Sequence, residues 1–196
     1  MDPMPVLTTT RLHIRPFTMD DLDVVHHLLD VELAWEETRQ QRHEWLAFTV
    51  RLAEKWSNPP LGYRAICRRD TQKIVGKCGF FSYLLTPRER SLWATEMAAD
   101  GDPGNRLVLG IGYGLERACR GSGYGGEAVH ALCGFAFDQL RISDVWARTT
   151  HDNAASRRLM ERIGMRTGAN PDPERYPGVL GRLTSADWDG GPQTQM

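Results

Sequence analysis

The stretch Arg120-Gly121-Ser122-Gly123-Tyr124-Gly125-Gly126 is where this sequence gathers residues that could do chemistry. A strand-like run, Leu107 to Leu115, leads toward it, and a helix-like run, Glu127 to Leu140, follows directly. Small residues at a helix start let backbone N–H groups point into one concavity, and the helix dipole adds partial positive charge there. Arg120 supplies a formal charge beside that nest. The chemistry that fits is capture of a phosphate or pyrophosphate. A glycine-rich turn used for tight strand–helix packing is the bland alternative. Four glycines within residues 121–126, preceded by an arginine, favour the anion site.

Gly121, Gly123 and Gly126 also satisfy G-x-G-x-x-G, the dinucleotide fingerprint. That fingerprint belongs after the first strand of a longer βαβ series and wants an acidic residue about 20 positions on, at the end of the next strand. Here some 70 residues remain, and Asp144 precedes its strand. The dinucleotide reading is therefore the weaker one.

The elements around the loop follow from periodicity. Residues 7 to 16 alternate Leu12 and Ile14 against Arg11, His13 and Arg15, the mark of a half-buried strand. Thr18 offers an N-cap, with Asp20 and Asp21 in the first turn of a helix to about Asp30. A second helix, about 39 to 56, carries Trp45, Phe48, Leu52 and Trp56 at spacings of three and four, and Pro59-Pro60 stops it. Two strands, 63 to 68 and 73 to 84, flank the polar turn RRDTQ as a hairpin. Ser91 to Met97 could be a strand, and Asp100 to Asn105 is turn chemistry. Val145 to Thr149 reads as a short strand, Ala154 to Ile163 as a short helix, and 178 to 184 as a last strand before Trp188. The order predicts a mixed α/β domain with mostly antiparallel strands, spanning residues 1–190, with 191–196 a polar tail.

Composition sets the outer bounds. A chain of 196 residues, 41% hydrophobic and 25% charged, suits one domain with its own core. Lys plus Arg (24) nearly balances Asp plus Glu (25), so no global basic field gathers nucleic acid. Cys67, Cys78, Cys119 and Cys133 form no C-x-x-C pair, so no metal site is expected and they read as small apolar fillers in a reduced compartment. The opening MDPMPVLTTTRL has no basic n-region and no apolar h-region, and no apolar run approaches the ~20 residues a bilayer span needs. The expectation is a cytoplasmic protein, with neither nucleic acid nor membrane as partner.

Arg120-Gly121-Ser122-Gly123-Tyr124-Gly125 resembles the R-x-x-G-x-G/A signature of the GNAT acetyltransferase superfamily. The opening LTTTRLHIRPFTMDDL is similar to the start of its ribosomal-protein (Rim-like) N-terminal acetyltransferases, and Gly112-Tyr113-Gly114-Leu115 resembles their G-Y-x-L strand. Glu127-Ala128, Asn153-Ala154-Ala155-Ser156, Glu161 to Met165 and Ala186-Asp187-Trp188 match further segments in order. Residues 35 to 60 and 86 to 106 match least. The resemblance implies a GNAT fold, a twisted sheet with two splayed strands flanked by helices, and acetyl-CoA as co-substrate. Backbone amides of Arg120, Gly121, Ser122, Gly123, Tyr124 and Gly125 would cradle the pyrophosphate. The strand ending at Leu115 would splay from Val145–Thr149 and pair with the pantetheine arm, and Asn153 would hydrogen-bond the cofactor, serve as a helix N-cap, or do both.

The implied reaction is attack of a primary amine, a protein N-terminus or a small molecule, on the thioester. An alkyl ammonium has a pKa of about 10.4, so a proton must first be removed. A backbone N–H at Leu115 would serve the oxyanion, and Ser156 would be the acid for the leaving thiolate. Many relatives carry a Glu two residues before G-Y and a Tyr four before the later Gly; here these positions are Gly110 and Met160. That leaves the base open among Glu116, Glu174, Glu96 and His151. It also keeps a second reading alive, a GNAT-fold module that binds acyl-CoA without catalysis. Trp35, Trp45, Trp56 and Tyr83 could line the acceptor pocket, fill the core, or form contacts in a homodimer.

Overall fold

Alternation of buried Leu12 and Ile14 with half-exposed His13 and Arg15 does make a strand, yet residues 7 to 16 fold as two. β1 (Leu7–Thr8) and β2 (Leu12–Arg15) form an antiparallel hairpin closed by the Thr9 amide on the Leu12 carbonyl at 2.9 Å. The computed structural model describes residues 4–55, 60–93 and 104–190. Trp56, Pro59, Glu96, Asp100 to Pro103 and the tail 191–196 lie outside these residues.

After β2, the Thr18 amide donates to the Asp21 carboxylate at 2.8 Å, as in a capping box. A 3-10 turn then leads into α1 (Leu22–His26), which widens into six residues of π-helical backbone, His27–Glu32. α2 (Arg39–Glu54) is capped by Thr38, whose hydroxyl accepts from the Gln41 amide. Its inward face is not the one the aromatic spacing predicts. Arg42, Leu46 and Thr49 are buried, whereas Phe48 is 58% exposed. Asp30 explains this, because it takes two hydrogen bonds from the buried Arg42 guanidinium (2.9 and 2.7 Å) and so turns that line of the helix inward.

β3 (Gly62–Arg68) and β4 (Ile74–Leu85) form the expected antiparallel hairpin. α3 (Pro87–Arg90) and a 3-10 turn at Ser91–Trp93 replace the start of the strand expected from Ser91. β5 (Arg106–Leu115) precedes the glycine loop, and α4 (Tyr124–Gly134) follows it, extended by a π turn at Phe135–Gln139. β6 (Asp144–Thr150), α5 (Ala154–Arg162), β7 (Arg166–Ala169) and β8 (Gly178–Thr184) complete the described chain. β7 was not legible in the sequence: RTGA shows no apolar alternation, and its place is fixed by the backbone ladder to β8.

The eight strands follow the hydrogen-bonded order β1-β2-β3-β4-β5-β6-β8-β7. Most pairs with a defined register are antiparallel; β5 and β6 are parallel, paired at Leu109–Val145 and Gly110–Trp146. Two compact units emerge, residues Met1–Phe81, Ile111–Leu140 and Gly190–Met196 in one, Ser82–Gly110 and Arg141–Asp189 in the other. The first has a core in which Phe17, Val25, Leu28, Leu29 and Leu46 pack on Ala65 and Cys67 of β3. Burying each large apolar side chain there contributes about 1.5–3 kcal/mol. In the second, Trp93 meets Trp146 edge-on at 4.9 Å. No described helix is long and apolar enough to cross a membrane.

Candidate active site

The glycine loop lies wholly in the first unit. Gly121 (φ 79°) and Gly123 (φ 84°) sit in the left-handed region, which a side chain disfavours, and Gly123 is the N-cap of α4. The helix therefore starts at Tyr124, three residues earlier than the apolar periodicity implied, and places Gly125 and Gly126 in its first turn. Amides in a first helical turn have no carbonyl four residues back to bond. Packing does not explain Gly121 or Gly126, where a Cβ meets no atom within 4 Å, whereas one at Gly123 would lie 3.1 Å from Arg11 Nη2. Gly126 also lacks a positive φ. Its smallness thus keeps space open beside the helix N-terminus.

Glu127 ties this helix to the first hairpin. Its carboxylate accepts from the Arg11 amide (2.8 Å) and guanidinium (2.7 Å) and from the Thr9 hydroxyl (2.5 Å). Burial alone would raise its pKa, but these hydrogen bonds outweigh that and hold it below the usual carboxylate range. Arg11 reaches on to the Ser122 carbonyl at 2.9 Å and lies 4.6 Å from the Tyr124 ring centre. Arg120 donates to the Leu115 carbonyl at 3.2 Å, linking the loop to the end of β5.

Of the expected bases, Glu116 is committed elsewhere. Its carboxylate pairs with Lys73 at 3.0 Å and accepts from the Cys119 thiol at 3.1 Å. Against the cost of burial, those two donors lower its pKa. Glu174 and His151 are exposed and belong to the second unit. In that unit Asn153 caps α5, its side-chain oxygen accepting from the Ser156 amide at 3.1 Å. Ser156 is half-buried, with its hydroxyl 3.9 Å from the Met160 sulfur. Met160 is fully buried, and a Cβ at Gly181 would sit 2.4 Å from its methyl, so the position of the missing Tyr is filled by core. Asp144 is buried against Arg182 at 2.9 Å.

The feature that periodicity missed is in the first unit. Trp35 and Trp45 join Tyr63 of β3 in a cluster of edge-on and tilted rings, centroids 6.2 to 6.5 Å apart. Tyr83, by contrast, lies in the second unit and donates to the buried Glu89. Into the first cluster β4 delivers Lys77, 4% exposed, its Nζ 3.5 Å from the Tyr63 ring centre and 3.8 Å from that of Trp35. Burial, then the Arg42 guanidinium, lowers its pKa to about 7. The signal was present in IVGKCGFF, a single charge within an otherwise apolar strand.

Comparison with known proteins bears directly on this geometry. The family profile for the acetyltransferase (GNAT) domain matches residues 11–166, a span that holds the loop, Lys77, Asn153 and Ser156. The chain belongs to the GNAT acetyltransferase family. A curated relative, an uncharacterized N-acetyltransferase (YjdG) of Bacillus subtilis, is 28% identical over 99 residues, 50% of this chain and 48% of its own length. The chain thus aligns with about half the length of that relative. Among solved structures, a GNAT-family acetyltransferase from Bacillus anthracis superposes with TM-score 0.68 at 16% identity, over 93% of this chain and 99% of that one. The ribosomal-protein-S5-alanine acetyltransferase of Vibrio fischeri gives 0.65 at 14%, over 95% and 100%. A ribosomal L7/L12 alpha-N-protein acetyltransferase in complex with coenzyme A gives 0.62 at 16%, over 93% and 98%. These similarities establish the GNAT fold. Among the described residues no cluster of His, Cys, Asp and Glu could hold a metal ion.

Proposed function

We propose that this GNAT protein is an N-acetyltransferase, one catalytic domain over residues 1–190, that moves the acetyl group of acetyl-CoA to a primary amine. The observation that carries the reading is Gly126, a first-turn glycine required neither by φ nor by any neighbour within the chain. With Gly121 and Gly123 it keeps Cβ atoms away from three positions at this helix N-terminus, which suits a pyrophosphate laid against amides. The amides of Gly121, Ser122, Gly123, Tyr124 and Gly125 hold that group in this reading; the Arg120 amide, expected to join them, is instead donated to the Arg117 carbonyl at 3.2 Å, which leaves Arg120 its charge to offer. Bound there, acetyl-CoA supplies the thioester carbonyl. The backbone from Ile111 to Leu115, at the end of β5, pairs with the pantetheine amides in this reading. The Leu115 amide faces the developing oxyanion, Asn153 bonds the cofactor through the amide nitrogen left over from its cap, and Ser156 protonates the sulfur.

The acceptor we favour is a protein N-terminal amine, on the opening LTTTRLHIRP and on the ribosomal-protein acetyltransferases among the structural neighbours. Burial of Met160 and the glycine at 110 support a second reading, acyl-CoA binding without catalysis. A nicotinamide enzyme is disfavoured, since Asp144 is tied to Arg182 and has no carboxylate to offer a ribose.

Isothermal titration with acetyl-CoA tests the reading. Micromolar binding by the wild type, at least ~100-fold weaker in Gly123→Trp and absent for NAD, is the expected result. A wild-type protein that binds no acetyl-CoA sinks it. Release of free thiol with an amine present separates the enzyme from the non-catalytic binder.

A further inference from the structure

Three independent features converge on one side chain. First, Lys77 is almost fully buried and, among the described residues, has no ion pair or hydrogen-bond partner; its ammonium packs on the faces of two rings. A lysine rarely stays buried without a counter-charge unless its neutral form has a use. Second, β5 presents glycines toward this group. A Cβ at Gly114 would lie 3.7 Å from Lys77 Cε and 2.8 Å from a Leu33 methyl, and one at Gly112 would lie 2.8 Å from the Tyr63 hydroxyl. The G-Y-G-L strand is thereby thinned where Lys77 approaches it, next to Leu115. Third, Trp35 is held by a strained backbone, for Ala34 (φ 53°) and Glu36 (φ 58°) on either side are non-glycine residues in the left-handed region. Such conformations cost about 1 kcal/mol or more and persist where the surroundings impose them. Here the restraints are the Trp35 amide on the Leu29 carbonyl (3.0 Å) and the Glu37 amide on Asp30 (3.0 Å).

We infer that Lys77, packed on the Trp35 and Tyr63 rings beside the glycines of β5, is the proton acceptor for the incoming amine. The inference rests on the acetyltransferase reading and fills the vacancy that Gly110 leaves in it. The step balances: Lys77 Nζ takes one proton from the substrate ammonium, and the freed nitrogen pair forms the C–N bond to the thioester carbon. The C–S bond breaks with its pair on sulfur, Ser156 gives that sulfur its hydroxyl proton and regains one from the second amine proton, and Lys77 later returns its own proton to water.

The charges facing Lys77 support this. Arg42 from α2 lies 5.3 and 4.9 Å from the Trp35 and Trp45 ring centres, fully buried, with its own charge already matched by Asp30 at 2.7 Å and Glu37 at 3.0 Å. His26 lies 4.0 Å from Asp30. β3 contributes Tyr63, β4 the fully buried Cys78 thiol, and β5 only glycines at 112 and 114. Arg42 and burial favour neutral Lys77, while the ring faces favour its ammonium, leaving it titrating near neutrality, where a general base is most effective. An ammonium brought against the same rings is driven toward its neutral form by the same desolvation.

The test uses Lys77→Met, Lys77→Arg and Lys77→His in the full chain. The probes are an alanine-initiated peptide, spermidine and benzylamine. Expected are wild-type-like acetyl-CoA binding in all three variants, a 10²- to 10⁴-fold loss of kcat in both Met and Arg variants, and partial rescue by His. The wild-type pH profile should rise through about 7, and that limb should vanish in Lys77→Met. Full activity of Lys77→Arg would overturn the proposal, since arginine holds its proton throughout. Acetylation of Lys77 found by mass spectrometry would overturn it as well, because an acyl lysine accepts no proton. NMR titration of ¹³C-lysine-labelled protein decides independently of any substrate: a Lys77 midpoint near 7 supports the assignment, and one above about 9.5 removes it. If acetyl-CoA fails to bind the wild type, it is the underlying reading that has failed.

Discussion

Within the first unit, the loop region and the aromatic pocket treat charge in opposite ways. Around the loop two carboxylates are matched: Glu127 accepts from Thr9 and twice from Arg11, and Glu116 from Lys73 and Cys119. Both carboxylates are held ionised, below their usual range. In the pocket, Lys77 is given no anion and loses its charge near neutral pH. The difference separates scaffold from chemistry. A group whose charge is locked by partners positions its neighbours, and a group kept without a partner stays free to exchange a proton.

The contrast can be broken most severely at Lys77. Because its folded pKa lies below its unfolded one, the unfolded chain binds the extra proton between about 7 and the usual lysine value, so folding gains stability as pH rises across that window. Lys77→Met should therefore raise stability at pH 7 by roughly 2–5 kcal/mol, the gap to wild type closing above pH 10. Chemical denaturation at pH 7 and pH 10 reads this directly. Equal stabilities at both would show that Lys77 is charged throughout and that the contrast is false.

Glu127→Ala sharpens the other side. Removing the carboxylate strands the Arg11 guanidinium and the Thr9 hydroxyl, and should cost about 2–3 kcal/mol, seen as a lower denaturation midpoint. The sign with pH is opposite to that for Lys77. The contribution of Glu127 is present above its unfolded pKa and is lost as pH falls through its lowered folded value, so wild type and variant should converge in acid.

The smallest effect on stability is the most telling for the loop. Gly126→Ala meets no atom and gains helix propensity, so stability should rise by about 0.5–1 kcal/mol. Acetyl-CoA affinity should nevertheless fall several-fold by calorimetry. Unchanged affinity would mean the open space at Gly126 is not used by the ligand.

Much of this molecule is written locally. The glycine loop, the β3–β4 hairpin with its RRDTQ turn, and the caps Thr18, Thr38 and Asn153 each depend on a few consecutive residues, and all lie close to where sequence places them. The start of α4 shifts to Tyr124 because glycines hide helical periodicity without preventing a helix. β7 was not legible, because an edge strand held by backbone bonds needs no side-chain pattern.

The sequence by itself determined the family, the glycine loop and the absence of two familiar catalytic side chains, since each is a matter of residue type at fixed spacing. In the sequence Lys77 is nothing more than a charge inside a strand, and it drew no reading there. Tertiary structure decided the rest. Asp30 turns Arg42 inward, α2 follows, Trp35 and Trp45 close on Tyr63, and Lys77 is shut among rings beside a strand of glycines. Burial and the proximity of charges set by four distant segments fix a pKa, and no window of consecutive residues contains that information.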